Sequence, residues 1–107
     1  MRKFLFIGFL SVFLSSCAAH YGAATIKSNP PGAEVVSTDD GTILGVTPMT
    51  YWWKEPSGNT QYKVLRIKKE GYYEKSAPFK LSMRHNSEEE AKENATIVEV
   101  NLQQIGQ

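Results

Sequence analysis

The sequence predicts an all-β protein, a small antiparallel β-sandwich of six to seven short strands. Three observations predict it. Apolar and polar residues alternate with a period of two: Leu65 and Ile67 against Arg66 and Lys68, Phe79, Leu81 and Met83 against Lys80 and Ser82, and Val98, Val100 and Leu102 against Glu99 and Asn101. Turn-forming clusters of Pro, Gly, Asn and Asp interrupt the chain every ~8–12 residues. Nothing between these strands has a long helical period, so a parallel sheet with crossover helices is not expected.

The elements follow in order. Thr25-Ile26-Lys27-Ser28 is strand-like and stops at Asn29-Pro30-Pro31-Gly32, where prolines and a glycine break the ladder. Ala33-Glu34-Val35-Val36-Ser37-Thr38 forms the second strand. It is closed by Asp39-Asp40-Gly41, which favours the positive backbone angles of a hairpin turn. Thr42-Ile43-Leu44 is the third, followed by Gly45-Val46-Thr47-Pro48, whose proline fixes its own φ and biases Thr47 to an extended form. Residues 49–53 are rich in β-formers and end at Glu55-Pro56-Ser57-Gly58-Asn59. The longest strand covers residues 61–69 and breaks at Glu70-Gly71. Between the last two strands, Ser87-Glu88-Glu89-Glu90 has capping-box spacing, which fits a single helical turn or an acidic, solvated loop.

The N-terminal residues have a different character. Arg2 and Lys3 precede an apolar run of about 11 residues, well short of the ~20 a spanning helix needs. Leu14-Ser15-Ser16-Cys17 follows. A charged start, an apolar middle and small residues before a cut site are the parts of an export signal. Leu-Ser-Ser-Cys resembles the bacterial lipobox, in which the cysteine thiol is acylated and the chain is cleaved just before it. The resemblance implies that residues 1–16 are a lipoprotein signal peptide and that Cys17 carries the lipid. Residues 17–24 then form a short tether, and residues 25–107 the sandwich. Two or more acyl chains make such attachment stable. Ala18, standing where an aspartate does not, resembles the pattern sent on to the outer membrane of two-membrane bacteria.

Charge and chemistry narrow the function. The chain has 12 Lys and Arg against 11 Asp and Glu, and loss of Arg2 and Lys3 tips the balance slightly acidic. A nucleic-acid partner would need a basic patch to meet phosphate charge and is not expected. With the single cysteine acylated, no thiol remains for a disulfide, a redox pair or a metal site. His85, Asn86 and Ser87 could be drawn as part of a hydrolase constellation, but Ser87 fits better as a helix cap and no aspartate lies nearby to orient His85. His20 falls in the expected tether. Zinc would need three or four ligands at workable spacing. Asp39 and Asp40 with Glu34 could chelate calcium, but the Asp-Asp-Gly turn accounts for them. No catalytic residue, metal site or cofactor is expected.

Aromatic residues are the informative surplus. Tyr51, Trp52 and Trp53 are consecutive, so in a strand Trp52 faces opposite to its two neighbours and only one side of the trio can enter a two-layer core. With Tyr62 they make a candidate patch, suited to stacking on sugars or packing on a protein, although the rings also suit capping the end of a small core. Lys63, Arg66, Lys68 and Lys69 read as the solvated side of an amphipathic strand.

Taken in order, these pieces resemble a known family, the PEGA domain. Ser28 precedes Pro30-Pro31-Gly32-Ala33, with Pro31 in place of the name-giving glutamate. Val35-Val36, Asp40-Gly41, Gly45-Val46-Thr47-Pro48, Leu65, Ile67 and Lys69-Glu70-Gly71-Tyr72 follow. The resemblance spans residues 25–81. It implies a small β-sandwich, often tethered in bacterial envelopes, and implies no catalytic activity. The expectation is a non-enzymatic, membrane-anchored envelope lipoprotein that serves as a structural or protein-interaction module. The alternative is a carbohydrate-binding module for peptidoglycan or a surface polysaccharide. Expected partners are the membrane, through the lipid on Cys17, and an envelope protein or glycan.

Overall fold

The structure, a computed structural model, describes residues 19–106. The expected signal segment and Cys17 lie outside the described residues. Seven strands are formed: β1 (His20–Asn29), β2 (Glu34–Ser37), β3 (Ile43–Val46), β4 (Met49–Glu55), β5 (Gln61–Lys68), β6 (Lys75–Leu81) and β7 (Thr96–Asn101). One short helix, α1 (Glu88–Glu93), precedes β7. The strands make two sheets, ordered β4-β1-β7 and β3-β2-β5-β6, and the expected all-β sandwich is formed.

Every pairing is antiparallel except β1 with β7, which run parallel. A parallel pair needs a long crossover rather than a hairpin. The excursion through the whole second sheet and α1 provides it.

The core lies between the sheets and follows the period of two. Ala24 and Ile26 of β1, Val35 of β2, Leu65 and Ile67 of β5, Ala77 and Leu81 of β6, and Val98 and Val100 of β7 all point inward and are buried. Met83, just past the end of β6, is also fully buried. Filling this space with aliphatic side chains contributes roughly 1.5–3 kcal/mol for each large one.

The central strand starts earlier than the sequence suggests. From His20 onward the segment expected as tether is the first half of β1, paired with β4 from His20 opposite Glu55 to Ile26 opposite Met49. Its residues are small because of close approach. A Cβ on Gly22 would lie 2.5 Å from the Ser82 carbonyl oxygen and 2.6 Å from the Met83 sulfur. Ala23 and Ala24 are buried. Small side chains resemble linker composition, and only packing tells the two apart.

The turn motifs meet in one clasp. The Thr47 backbone N–H donates to the Ala33 carbonyl at 2.8 Å, and the Gly32 N–H donates to the Thr47 carbonyl at 3.0 Å. The Thr47 hydroxyl, 3% exposed as a residue, accepts from the Ala33 N–H at 3.0 Å. Ser28 Oγ donates to the Pro30 carbonyl at 2.8 Å, so the 2.6 Å contact between the two hydroxyls has Thr47 as donor. Every polar group of Thr47 is therefore used, as burial requires. The Asn29–Pro30 and Thr47–Pro48 peptide bonds flanking the clasp are both cis. Gly71, at φ +86°, takes the left-handed backbone that lets the chain leave β5.

Candidate functional site

Register decides which of the aromatic residues share a site. In β4, Tyr51 stands opposite Ala24 and Trp53 opposite Gly22, both on the core side of β1, while Trp52 stands opposite Ala23 on the outer side. Tyr51 and Trp53 pack against the core and against each other edge to face, with centroids 4.9 Å apart and planes at 71°. Trp53 also leans on Phe79 at 6.2 Å. Trp52 instead meets Tyr21 at 5.9 Å on the outer face. The expected split of the trio is present, and the candidate patch of Tyr51, Trp52, Trp53 and Tyr62 is not one surface.

Tyr51 and Trp53 do come together, around a cleft of about 310 Å³ at one end of the sandwich, whose rim Tyr62 joins from the outer side of β5. Its origin lies in strand lengths. β2 pairs with β5 only as far as Ser37 opposite Leu65, whereas β5 continues alongside β6 to Gln61. Residues 61–64 of β5 thus have a strand neighbour on one side only. The Thr38 hydroxyl donates to the Val64 carbonyl at 3.0 Å, so the backbone of Val64 faces this gap. By strand alternation the backbone of Tyr62 faces it too. Leu44, Tyr51 and Trp53 line the cleft on the apolar side.

The β2–β3 turn and β5 supply its polar groups. Asp40 accepts the Thr42 N–H at 3.0 Å. Hydrogen bonds from the Thr42 backbone and side chain hold its carboxyl below the usual carboxylate range. Asp40 is therefore committed to the turn. The neighbouring Asp39 carboxylate has no hydrogen-bond donor among the described residues, and it too lines the cleft. Across from it, the Lys63 ammonium sits 5.7 Å from the Trp53 ring centroid.

Lys63 is a correction to the sequence expectation. It stands opposite Phe79, in phase with Leu65 and Ile67, so it faces the core side at the open end of the strand and not with Arg66 and Lys68. The period of two places 63, 65 and 67 together, a signal present in the sequence but masked by the residue's charge. Arg66 and Lys68 share the outer face, where both meet Glu74. Exposed pairs of this kind contribute little, at most about 1 kcal/mol.

The remaining candidates are structural in their contacts. Ser87 caps α1, its hydroxyl accepting the Glu90 N–H at 3.1 Å. The helix is formed, so the acidic loop is not. The Glu90 carboxylate lies 3.1 Å from His85 Nδ1 rather than closing the capping box. His85 is 8% exposed and its backbone exchanges two hydrogen bonds with Tyr21. These contacts pin α1 over β1 and β4, against the outer face that carries Ala23 and Trp52. Glu34, weighed as a calcium ligand, lies at the other end of β2 from Asp39 and lines a separate shallow cleft with Lys68, Lys69 and Glu74. Among the described residues no three His, Cys, Asp or Glu side chains converge, and no helix is long and apolar enough to cross a membrane.

The family model described as PEGA domain matches residues 21–101 of the chain. No curated protein and no solved structure matches. The matched segment starts in β1, at the end that composition alone assigns to a tether, and ends on the last residue of β7.

Proposed function

This chain belongs to the PEGA domain family. From that premise we propose that it is a non-enzymatic, membrane-anchored envelope lipoprotein whose β-sandwich is a structural or protein-interaction module. The observation that carries the reading is the outer face of the second sheet. Ile43 is 55% exposed, Val64 42% and Tyr62 76%. Pro78, opposite Val64 on β6, is exposed beside them, while Val36, opposite Ile43, is 8% exposed and stands opposite Arg66. Exposed apolar side chains grouped in this way on an otherwise polar face suit a protein partner. A photo-crosslinking residue at position 64, used in living cells, tests it against the same residue at position 27 on the other sheet. Adducts at 64 alone support the module; no adduct at 64, 43 or 62 ends the reading.

The anchor is acylated Cys17, at the outer membrane, supported by the lipobox and by Ala18. Radiolabelled fatty acid on the wild type and none on Cys17→Ser is the expected result. An unlabelled wild type would remove the anchor.

A second reading, glycan binding, is favoured by the cleft that joins Tyr51 and Trp53 to polar groups. The detergent-solubilised protein should then pellet with purified peptidoglycan sacculi in low and high salt alike. Pelleting that salt abolishes would count against it.

A further inference from the structure

We propose that the gap beside the free half of β5 is a binding site for one neutral pyranose ring of a glycan, held by Trp53 and Asp39; this rests on the glycan-binding reading. The cleft volume of about 310 Å³ lies at the low end for ligand pockets, the size class of a single ring rather than an extended chain. A pyranose has an apolar C–H face and a hydroxyl rim. Tyr51, Trp53 and Leu44 offer an apolar wall, and Asp39, Asp40 and Lys63 a polar edge, in the same arrangement.

The roles are separable. Asp40 already accepts from Thr42 and shapes the turn. Asp39 has its acceptor capacity unspent, and a carboxylate can take two vicinal hydroxyls at once. Lys63 stands over the Trp53 ring without an acidic partner there. It can swing aside for the sugar and donate to a ring oxygen. The Tyr62 backbone, with no strand beside it, adds a donor and an acceptor at the mouth. Two carboxylates against one ammonium leave the edge net negative, so uronic and other acidic sugars are excluded. The gap spans only residues 61–64 of β5, too short for the ladder an added peptide strand needs.

The test is an isothermal-calorimetry titration of the full chain in detergent with chitotriose, maltotriose and trigalacturonate. At least one neutral trisaccharide is expected to bind, with trigalacturonate silent. Asp39→Asn, at an exposed turn position, should weaken binding about tenfold without moving the melting temperature. Trp53→Phe should weaken it severalfold, and Trp52→Phe should leave it unchanged. Binding that is untouched by both Asp39→Asn and Trp53→Phe overturns the site, as does equal binding of trigalacturonate. Sacculus sedimentation of the same variants separates the two levels. Pelleting that survives both substitutions, with no trisaccharide bound, sinks the site and keeps the glycan reading. Neither pelleting nor titration sinks both. Heat of binding from an extended tetrapeptide and from no sugar makes the gap a strand acceptor and overturns the proposal.

Discussion

Replacing Thr47 by valine swaps one hydroxyl for a methyl at a position 3% exposed. Two hydrogen bonds go with the oxygen: the one accepted from the Ala33 N–H at 3.0 Å and the one donated to Ser28 at 2.6 Å. Ala33 is fully buried, so its N–H is left without a partner or water. A typical hydrogen bond is worth ~1 kcal/mol net, and a stranded buried donor costs ~1–3 kcal/mol. Together the loss should be ~2–4 kcal/mol. For a domain of this size each kcal/mol lowers the melting temperature by ~4–8 °C, so a drop of at least ~8 °C is expected. Thr47→Ser keeps the oxygen and loses one methyl, costing ~1 kcal/mol. Urea unfolding followed by tryptophan emission should rank wild type above Ser above Val, at a shared m-value. A valine variant within ~0.5 kcal/mol of wild type, or a serine variant weaker than valine, would refute the claim that the hydroxyl holds the two turns together.

Other outcomes follow from the same contacts. Trp53→Ala, which removes a ring packed on Tyr51 and Phe79, should cost ~3–5 kcal/mol in denaturant unfolding. Trp52→Ala, which loses Tyr21 and its place on the outer face beneath α1, should cost less; equal losses would contradict the assigned faces. Gly22→Ala drives a methyl into the Ser82 backbone and should lower stability by ~1–3 kcal/mol, read as a lower urea midpoint. Asp40 has its folded pKa below the ordinary 3.8, so its turn contribution is present above that pH and fades as pH falls through the lower folded value. The stability gap between wild type and Asp40→Ala should therefore shrink below pH 3.8; a constant gap would show that hydrogen bonding to the ionised carboxylate is not its cause.

The sequence by itself determined the strands, because their signal is local. Leu65 and Ile67 against Arg66 and Lys68 state both the strand and its buried face. Asp40-Gly41 and Glu70-Gly71 mark turns through backbone angles that glycine alone takes freely, and Gly41 and Gly71 do have positive φ. Strand geometry also obliged Trp52 to face away from Tyr51 and Trp53. What was not legible depended on residues far apart in the chain. The first half of β1 has linker composition, and only the Ser82 carbonyl against Gly22 explains why it must be small. The parallel pairing of β7 with β1 joins the two ends of the domain, and no local pattern encodes it. The cleft is the clearest case. It exists because β2 ends before β5 does, a difference between two strand lengths that becomes a space only when the strands are side by side. Asp39 in a turn, Lys63 in a strand and Trp53 in another read in sequence as three unrelated features, and tertiary structure alone places them around one opening.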